Sequence, residues 1–266
     1  LIMDLYLLWV AFLLGVVEGA TEFLPVSSTG HLIIAADILN YSGKSSKVFE
    51  IFIQLGAILA VITEYRKKLI DTFCNVHQKS DAQNFVISIL IAFVPAALLG
   101  FFFHSLIKVY LFNPVSVSIA LIIGGFVMII IEKKTPNIIK PTSASVTFKQ
   151  AMFIGFAQCL SLIPGVSRSG FTITAARILR FKRVDAAKIS FLLSIPALSG
   201  ASFLGLKDLF NQSIEFNYLV VIAIISSFIF SFITVKFFLI YINKFSMNAF
   251  VIYRVIIALI LFIIIY

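Results

Sequence analysis

Charge is scarce in this chain. Of 266 residues only 12% are Asp, Glu, Lys or Arg, while 61% are hydrophobic. A soluble domain is roughly half apolar and a quarter charged. A soluble globular protein is therefore excluded, and an integral membrane protein is implied. Cysteine is nearly absent. Cys74 and Cys159 stand far apart in unlike settings, which excludes a disulfide framework and a cysteine-based metal site. The long apolar runs lack period-2 alternation. That argues against a β-barrel and leaves helices, the other architecture that satisfies every backbone polar group in lipid. The first residues lack a basic region and an A-x-A cleavage site, so they read as structure rather than as a signal peptide. No low-complexity stretch or long linker interrupts the sequence, and one transmembrane domain over residues 1–266 is expected.

A spanning helix needs about 20 mainly apolar residues. Six stretches qualify: 47–65, 83–103, 114–131, 186–206, 216–242 and 248–266. Two more apolar regions are broken in the middle, 4–40 at LPVSSTG and 147–180 at IPGVSRSG. Each half is expected to run for only about 13 to 18 residues, short of a full crossing. Polar breaks at membrane depth are tolerated where they are buried in protein or line a cavity. Both regions therefore read as re-entrant helical hairpins that enter and leave on one side.

The net charge is +9, but its placement speaks against nucleic acid. Arg66, Lys67, Lys68, Lys79, Lys133, Lys134, Lys140, Lys149, Arg180, Lys182, Arg183, Lys188 and Lys244 fall on one side of this topology. Lys44, Lys47, Lys108 and Lys207 fall on the other. The richer side is expected to be cytoplasmic, with both termini and the mouth of the first hairpin outside. The basic charge is then topology signal and contact with anionic lipid.

Shifting the chain by 140 residues lays GVVEGATEFLPVSSTGHLIIAADIL (15–39) on GFAQCLSLIPGVSRSGFTITAARIL (155–179), with nine identities in 25 positions. Val26, Ser27 and Gly30 fall on Val166, Ser167 and Gly170. One repeat covers about 1–131 and the other about 147–266. Each is a hairpin followed by three spans, and three is odd, so the second repeat must be inverted. The expected fold is an all-α membrane protein of six spans plus two re-entrant hairpins. Broken helices of inverted repeats meet near the midplane and build a shared site.

Ionisable residues at membrane depth are costly and usually functional. Glu18 and Glu22 are one turn apart on one helix face. As like charges they call for an arginine or a divalent cation; Mg²⁺ and Ca²⁺ take oxygen ligands. After the break a helix restarts with Ser27, Ser28 or Thr29 as its cap, and its free N–H groups attract an anion. Capping alone accounts for Ser28 and Thr29; Ser27 is also duplicated by the repeat. His31, one turn on, can reach back as general base or nucleophile. In the second break Arg168 carries forked donors suited to phosphate. Ser167, Ser169 and Thr172 add hydroxyls beside Gly170. Gln54, four residues after Glu50 on the first span, is a candidate for the same cavity. Trp9, Tyr65 and Tyr253 read as interfacial aromatics. Acids, a hydroxyl, a histidine, an arginine and two helix starts suit a metal-bound diphosphate, and a site open to lipid suits a lipid diphosphate.

At these residues the sequence resembles the undecaprenyl-diphosphate phosphatases of the bacitracin-resistance type. The family's (E/Q)xxxE motif matches Glu18 and Glu22, followed by PVSSTGH at 25–31. Its PGxSRSxxT motif matches Pro164, Gly165, Ser167, Arg168, Ser169 and Thr172. FEIFIQLGAILAV (49–61) and FHSLIKVYLFNP (103–114) are similar too, so the likeness covers essentially the whole chain. The resemblance implies removal of the terminal phosphate of undecaprenyl diphosphate, a polyprenyl lipid, at the outer face of the bacterial cytoplasmic membrane. It also implies a divalent cation, recycling of the carrier for peptidoglycan, and protection against bacitracin. Membrane lipids are the expected surroundings, and association with further copies of the chain stays open. Arg168 and the helix starts would hold the diphosphate, with Ser28, Thr29, Ser167, Ser169, Gly170, Thr172 and Gln54 as contacts. Glu18 and Glu22 would bind metal, and Ser27 would attack phosphorus while His31 takes its proton. Attack by His31 itself or by water stays open, as does a transporter or lipid flippase built on the same anion site.

Overall fold

A computed structural model describes residues 2–41, 44–77, 80–135, 146–209 and 218–265. Among them every regular element is helical. The chain runs through α1 (Ile2–Thr21), α2 (Ser28–Ile38), α3 (Lys44–Glu64), α4 (Arg66–Asn75), α5 (Ser80–Tyr110) and α6 (Pro114–Lys134). It continues through α7 (Phe148–Cys159), a 3-10 turn at Leu160–Leu162, α8 (Arg168–Ile178), α9 (Arg183–Leu209), α10 (Tyr218–Lys244) and α11 (Asn248–Ile265). Four helices among the described residues are long and apolar enough to cross a membrane, within α5, α6, α9 and α10; Leu5–Thr21 and Asn248–Ile264 are shorter apolar helices. The molecule is a helical membrane protein.

Both expected breaks are present, between α1 and α2 and between α7 and α8. α2 and α8 have 11 residues each and α7 has 12, too short for a bilayer core about 30 Å thick at 1.5 Å per residue. α1 differs from expectation. It is already helical at Ile2 and reaches 20 residues, because nothing among its first residues breaks the helix. The hydroxyl of Tyr6 nevertheless donates to the carbonyl of Leu39, so α2 comes back to the level at which α1 starts. α4 was not expected from hydropathy. It is a short helix with Lys67, Lys68, Ile70 and Phe73 exposed. Lys79 and Lys140, counted above by side, lie outside the described residues.

Within lipid the hydrophobic effect no longer drives helices together, and close approach of small residues takes over. α1 packs heavily on α10, and α10 on α3. At Gly15 an added Cβ would sit 2.0 Å from Ser226 Oγ, and at Gly19 2.7 Å from the Ser227 carbonyl. These two glycines, four residues apart, let the backbones meet. Ser227 also donates to the Ile53 carbonyl of α3 at 2.6 Å. Gly155 of α7 lies against the Ala92 carbonyl of α5 in the same way. Large apolar side chains such as Phe102, Phe203, Ile240 and Ile252 are turned outward, as a lipid-facing surface requires.

The core secures the breaks. Phe23, in the first break, is fully buried and meets Phe191 of α9 edge to face at 5.4 Å. The two breaks share one backbone geometry: Ser27 has φ 70° and ψ 100°, Ser167 has φ 71° and ψ 106°. Non-glycine residues seldom adopt positive φ, so a matched pair 140 positions apart reflects one local design. At one end of the bundle Glu132 of α6 binds Arg183 of α9 at 2.5 Å and lies 3.7 Å from Arg177 of α8. Arg177 also donates to the carbonyls of Phe181 and Thr135.

Candidate active site

The break after α1 brings its polar residues onto the break after α7. Arg168 Nη2 donates to Glu22 Oε1 at 2.8 Å across 146 residues of sequence, and both side chains are 9% exposed. The other oxygen of Glu22 accepts from Ser28 Oγ at 2.5 Å. Arg168 Nη1 donates to the Ser190 carbonyl of α9 at 3.2 Å. One carboxylate thus joins a hydroxyl at the start of α2 to the guanidinium at the start of α8. These bonds are charge-assisted and short, the stronger class of hydrogen bond.

Ser27 and His31 meet differently from expectation. His31 Nδ1 lies 2.8 Å from the carbonyl of Ser27. A carbonyl only accepts, so Nδ1 carries the proton and Nε2 of the neutral ring is the acceptor. Nε2 sits 2.9 Å from Tyr253 Oη, which donates to it, and the two rings stack at 5.4 Å. The histidine therefore braces the main chain of the break. Ser27 is buried and makes no side-chain capping bond.

The second break supplies a buried support. Ser167 Oγ caps α8 by accepting from Gly170 N at 3.2 Å, and it lies 3.2 Å from Ser169 Oγ. Ser169 Oγ donates to the Leu24 carbonyl of the first break at 2.8 Å. Thr172 Oγ1 donates to Ser190 Oγ at 2.7 Å. Ser167, Ser169, Gly170 and Thr172 are all buried. Their donors are spent within the protein, behind Arg168. Ser28, Thr29 and His31 are half-buried. Gln54 is bound elsewhere: its Oε1 accepts from Ser202 Oγ of α9 at 3.3 Å.

Glu18 is 1% exposed, and neither of its carboxylate oxygens has a hydrogen-bond partner among the described residues. A buried carboxylate needs a proton or a cation. No group of three or more His, Cys, Asp or Glu side chains among the described residues is arranged to hold a metal ion. Mg²⁺, however, is commonly held by one or two carboxylates together with substrate phosphate oxygens. Glu18, one turn from Glu22, meets that donor requirement.

Two neighbours were absent from the sequence-level site. Tyr253, expected at the interface, touches His31. Arg254, next to it in α11, is fully buried and bonds the main chain of both breaks. The signal for Arg254 was present, since it is an arginine inside an apolar span.

The family model described as "Bacitracin resistance protein BacA" matches residues 11–260. The chain is 46% identical to undecaprenyl-diphosphatase 1 of Stutzerimonas stutzeri over 95% of its own length and 92% of that protein's. It is 44% identical to the undecaprenyl-diphosphatase of Pelagibacter ubique over 96% of each. Against the undecaprenyl-diphosphatase of Nitrosomonas europaea the identity is 43%, over 95% of this chain and 93% of the other.

Proposed function

The chain belongs to the bacitracin resistance protein BacA family, and from that premise we propose that it hydrolyses undecaprenyl diphosphate to undecaprenyl phosphate and inorganic phosphate. It is a membrane hydrolase that returns a lipid carrier to cell-wall synthesis. The observation that carries this reading at the atomic level is the Ser28–Glu22–Arg168 chain, a hydroxyl on a carboxylate on a guanidinium. Hydroxyl and base within hydrogen-bond reach form the signature of an activated nucleophile.

In this mechanism Arg168 leaves Glu22 for the more highly charged diphosphate, and the free N–H groups at the start of α2 cradle the terminal phosphate. Glu22, released from its ion pair, accepts the proton of Ser28 Oγ. The oxygen forms a bond to the terminal phosphorus as the bond from phosphorus to the bridging oxygen breaks, and undecaprenyl phosphate leaves. Water then attacks the phosphoserine, Glu22 returns its proton to Ser28 Oγ, and phosphate departs. Ser28 replaces Ser27 as the proposed nucleophile, since the carboxylate lies on Ser28. Ser27 and His31 hold the shape of the break, and Ser167, Ser169 and Thr172 hold Arg168 from behind. Glu18, whose oxygens are unpartnered among the described residues, would hold a divalent cation, Mg²⁺ or Ca²⁺, with the substrate phosphates. Glu22 would share it only before it takes the proton. The cation supplies neutralisation of the charge on the transferring phosphoryl group.

We further propose six spanning helices, with α1–α2 and α7–α8 as re-entrant hairpins of two inverted repeats in one domain. The Tyr6–Leu39 contact and the matched angles at Ser27 and Ser167 support this. With the Lys- and Arg-rich side cytoplasmic, both termini and the mouth of the site face outward from the bacterial cytoplasmic membrane. The direct test is phosphate release from a C55 polyprenyl diphosphate by purified protein in detergent, with Mg²⁺ or Ca²⁺ and with chelator. Hydrolysis that chelator abolishes is expected. No release under any condition would transfer the site to a transporter or lipid flippase.

A further inference from the structure

Arg254 lies in α11, fully buried, without solvent contact. Its hydrogen bonds among the described residues all go to main-chain carbonyls. Nε donates to Leu121 at 3.0 Å, Nη1 to Pro25 at 3.3 Å and Val166 at 3.1 Å, and Nη2 to Ala120 at 3.3 Å and Gly165 at 3.1 Å. A guanidinium has five N–H groups, and each is matched to one carbonyl.

The choice of carbonyls is informative. Pro25 and Gly165 stand 140 residues apart, at the same position of the two breaks. Val166 directly precedes Ser167, whose φ is 71°. Ala120 and Leu121 belong to α6, so one side chain fastens both breaks to a third element. The fit is built into α6 as well. A Cβ at Gly124 would lie 2.5 Å from Arg254 Nη2, and Gly125 also borders the guanidinium. The two adjacent glycines open the slot that the arginine fills. A buried arginine bonded only to carbonyls is an expensive way to fill space in a membrane protein. An apolar side chain would pack at lower cost, and it would hold neither break.

We propose that Arg254 is a positioning residue for phosphoryl transfer, a clamp that sets the two breaks in register so that Ser28 and Arg168 address the same phosphate. Its fixed positive charge lies behind both helix starts, where it adds to the field that draws the diphosphate. The proposal rests on the phosphatase reading of the site, and its test separates the two. Arg254→Lys keeps the charge but cannot reach five carbonyls. Gly124→Ala keeps the arginine and favours the helix, yet crowds the guanidinium. Arg254→Met removes both charge and reach.

Each variant is purified in detergent and measured for melting temperature, for kcat and KM on a C55 diphosphate, and for amide exchange over residues 23–29 and 163–170. In Arg254→Lys, kcat per folded molecule is expected to fall about 100-fold, the scale of a misplacement of about 1 Å, with KM nearly unchanged. Gly124→Ala is expected to lose about tenfold in kcat by a smaller displacement of the same kind. In both variants exchange rises in the two breaks together. Wild-type kcat per folded molecule in Arg254→Lys and Gly124→Ala overturns the proposal, and so does exchange that rises in one break only. If Arg254→Met fails to fold, the other two variants still decide. If the wild type hydrolyses nothing, the phosphatase reading falls while amide exchange still judges the clamp.

Discussion

Ser27 and Ser28 are adjacent hydroxyls at one break, and substitution separates their roles. In Ser28→Ala, Glu22 Oε2 loses the hydroxyl that it holds at 2.5 Å and keeps Arg168 on Oε1. The lost bond is charge-assisted, worth about 1.5–3 kcal/mol of stability. Ser28 is only half-buried, so water can reach the vacated oxygen and the cost belongs at the low end of that range. The protein should remain folded. The chemical loss is larger, because nucleophile and base act as a pair. General-base assistance alone contributes roughly 10²–10⁴ in rate, about 3–5 kcal/mol of barrier.

Ser27→Gly behaves in the opposite way. The residue sits at φ 70°, where a side chain is strained by about 1–2 kcal/mol and glycine is not. Glycine also costs about 0.5–1 kcal/mol in chain entropy relative to alanine. The two effects nearly offset, and stability should move by less than about 1 kcal/mol. The carbonyl that accepts from His31 is retained, so turnover should stay within about threefold of wild type. The assay is phosphate release at saturating C55 diphosphate, with melting in detergent as the folding control. Phosphoenzyme trapped by acid quench should map to Ser28. If Ser28→Ala turns over within tenfold of wild type while Ser27→Gly is dead, the assignment of the nucleophile is refuted.

Arg168→Ala should lower kcat/KM by about 10²–10³, the usual loss for a phosphate- or oxyanion-binding donor; a near-wild-type value would dismantle the proposed site. Glu18→Gln removes a carboxylate whose oxygens have no hydrogen-bond partner among the described residues. It should raise the divalent-cation concentration for half-maximal activity by at least about tenfold, the size seen for weaker outer-shell losses, and an unchanged cation titration would deny Glu18 a metal role. Tyr253→Phe keeps the ring stack on His31 and deletes the 2.9 Å bond. It should cost about 1 kcal/mol of stability, and an unaltered melting curve would contradict the bond. Gly19→Val drives a side chain into Ser227 and Ser231 main chain at 2.7–2.8 Å. A loss of about 1–3 kcal/mol is expected from overpacking, and wild-type stability would mean that α1 and α10 are not in close contact.

Both breaks were readable in the sequence because serine, glycine and proline at membrane depth are conspicuous and recur after 140 residues. That Glu18 and Glu22 need an arginine or a cation followed from charge alone; that Glu22 takes Arg168 did not. The division of labour between Ser27 and Ser28 was not readable. It depends on the left-handed turn at Ser27, which directs the next hydroxyl toward Glu22, and no composition rule encodes that turn for a non-glycine residue. Gln54 was assigned to the cavity from its spacing to Glu50. Its partner, Ser202, is 148 residues away, and helical spacing is silent about such contacts. Tyr253 and Arg254 were missed for a related reason. Their span carries no motif, and Arg254 meets the first break across 229 residues. The principle that marks Arg168 as functional, an ionisable side chain at membrane depth, applies to Arg254 equally.

The two breaks share a scaffold and divide the chemistry. Position by position, Glu18 faces Gln158 in the repeat, Glu22 faces Leu162, Ser28 faces Arg168 and His31 faces Phe171. Backbone angles at Ser27 and Ser167 agree within a few degrees, so shape was retained while charge was not. A chemically symmetric pair would place four acids and no arginine in the two hairpins' matched positions, or an arginine in each and no acid. Either set would be like charges desolvated together, which a low-dielectric interior penalises severely. Splitting them lets Arg168 neutralise Glu22 at 2.8 Å. Within the proposed topology it also bears on direction. In the proposed inverted arrangement, equal halves would open two sites toward opposite faces of the membrane. With both acids on α1–α2, a hydroxyl has a carboxylate beside it at the first break only, where Ser28 bonds Glu22. In that proposed arrangement the second hairpin is the cationic wall of one site, and diphosphate is taken from one side.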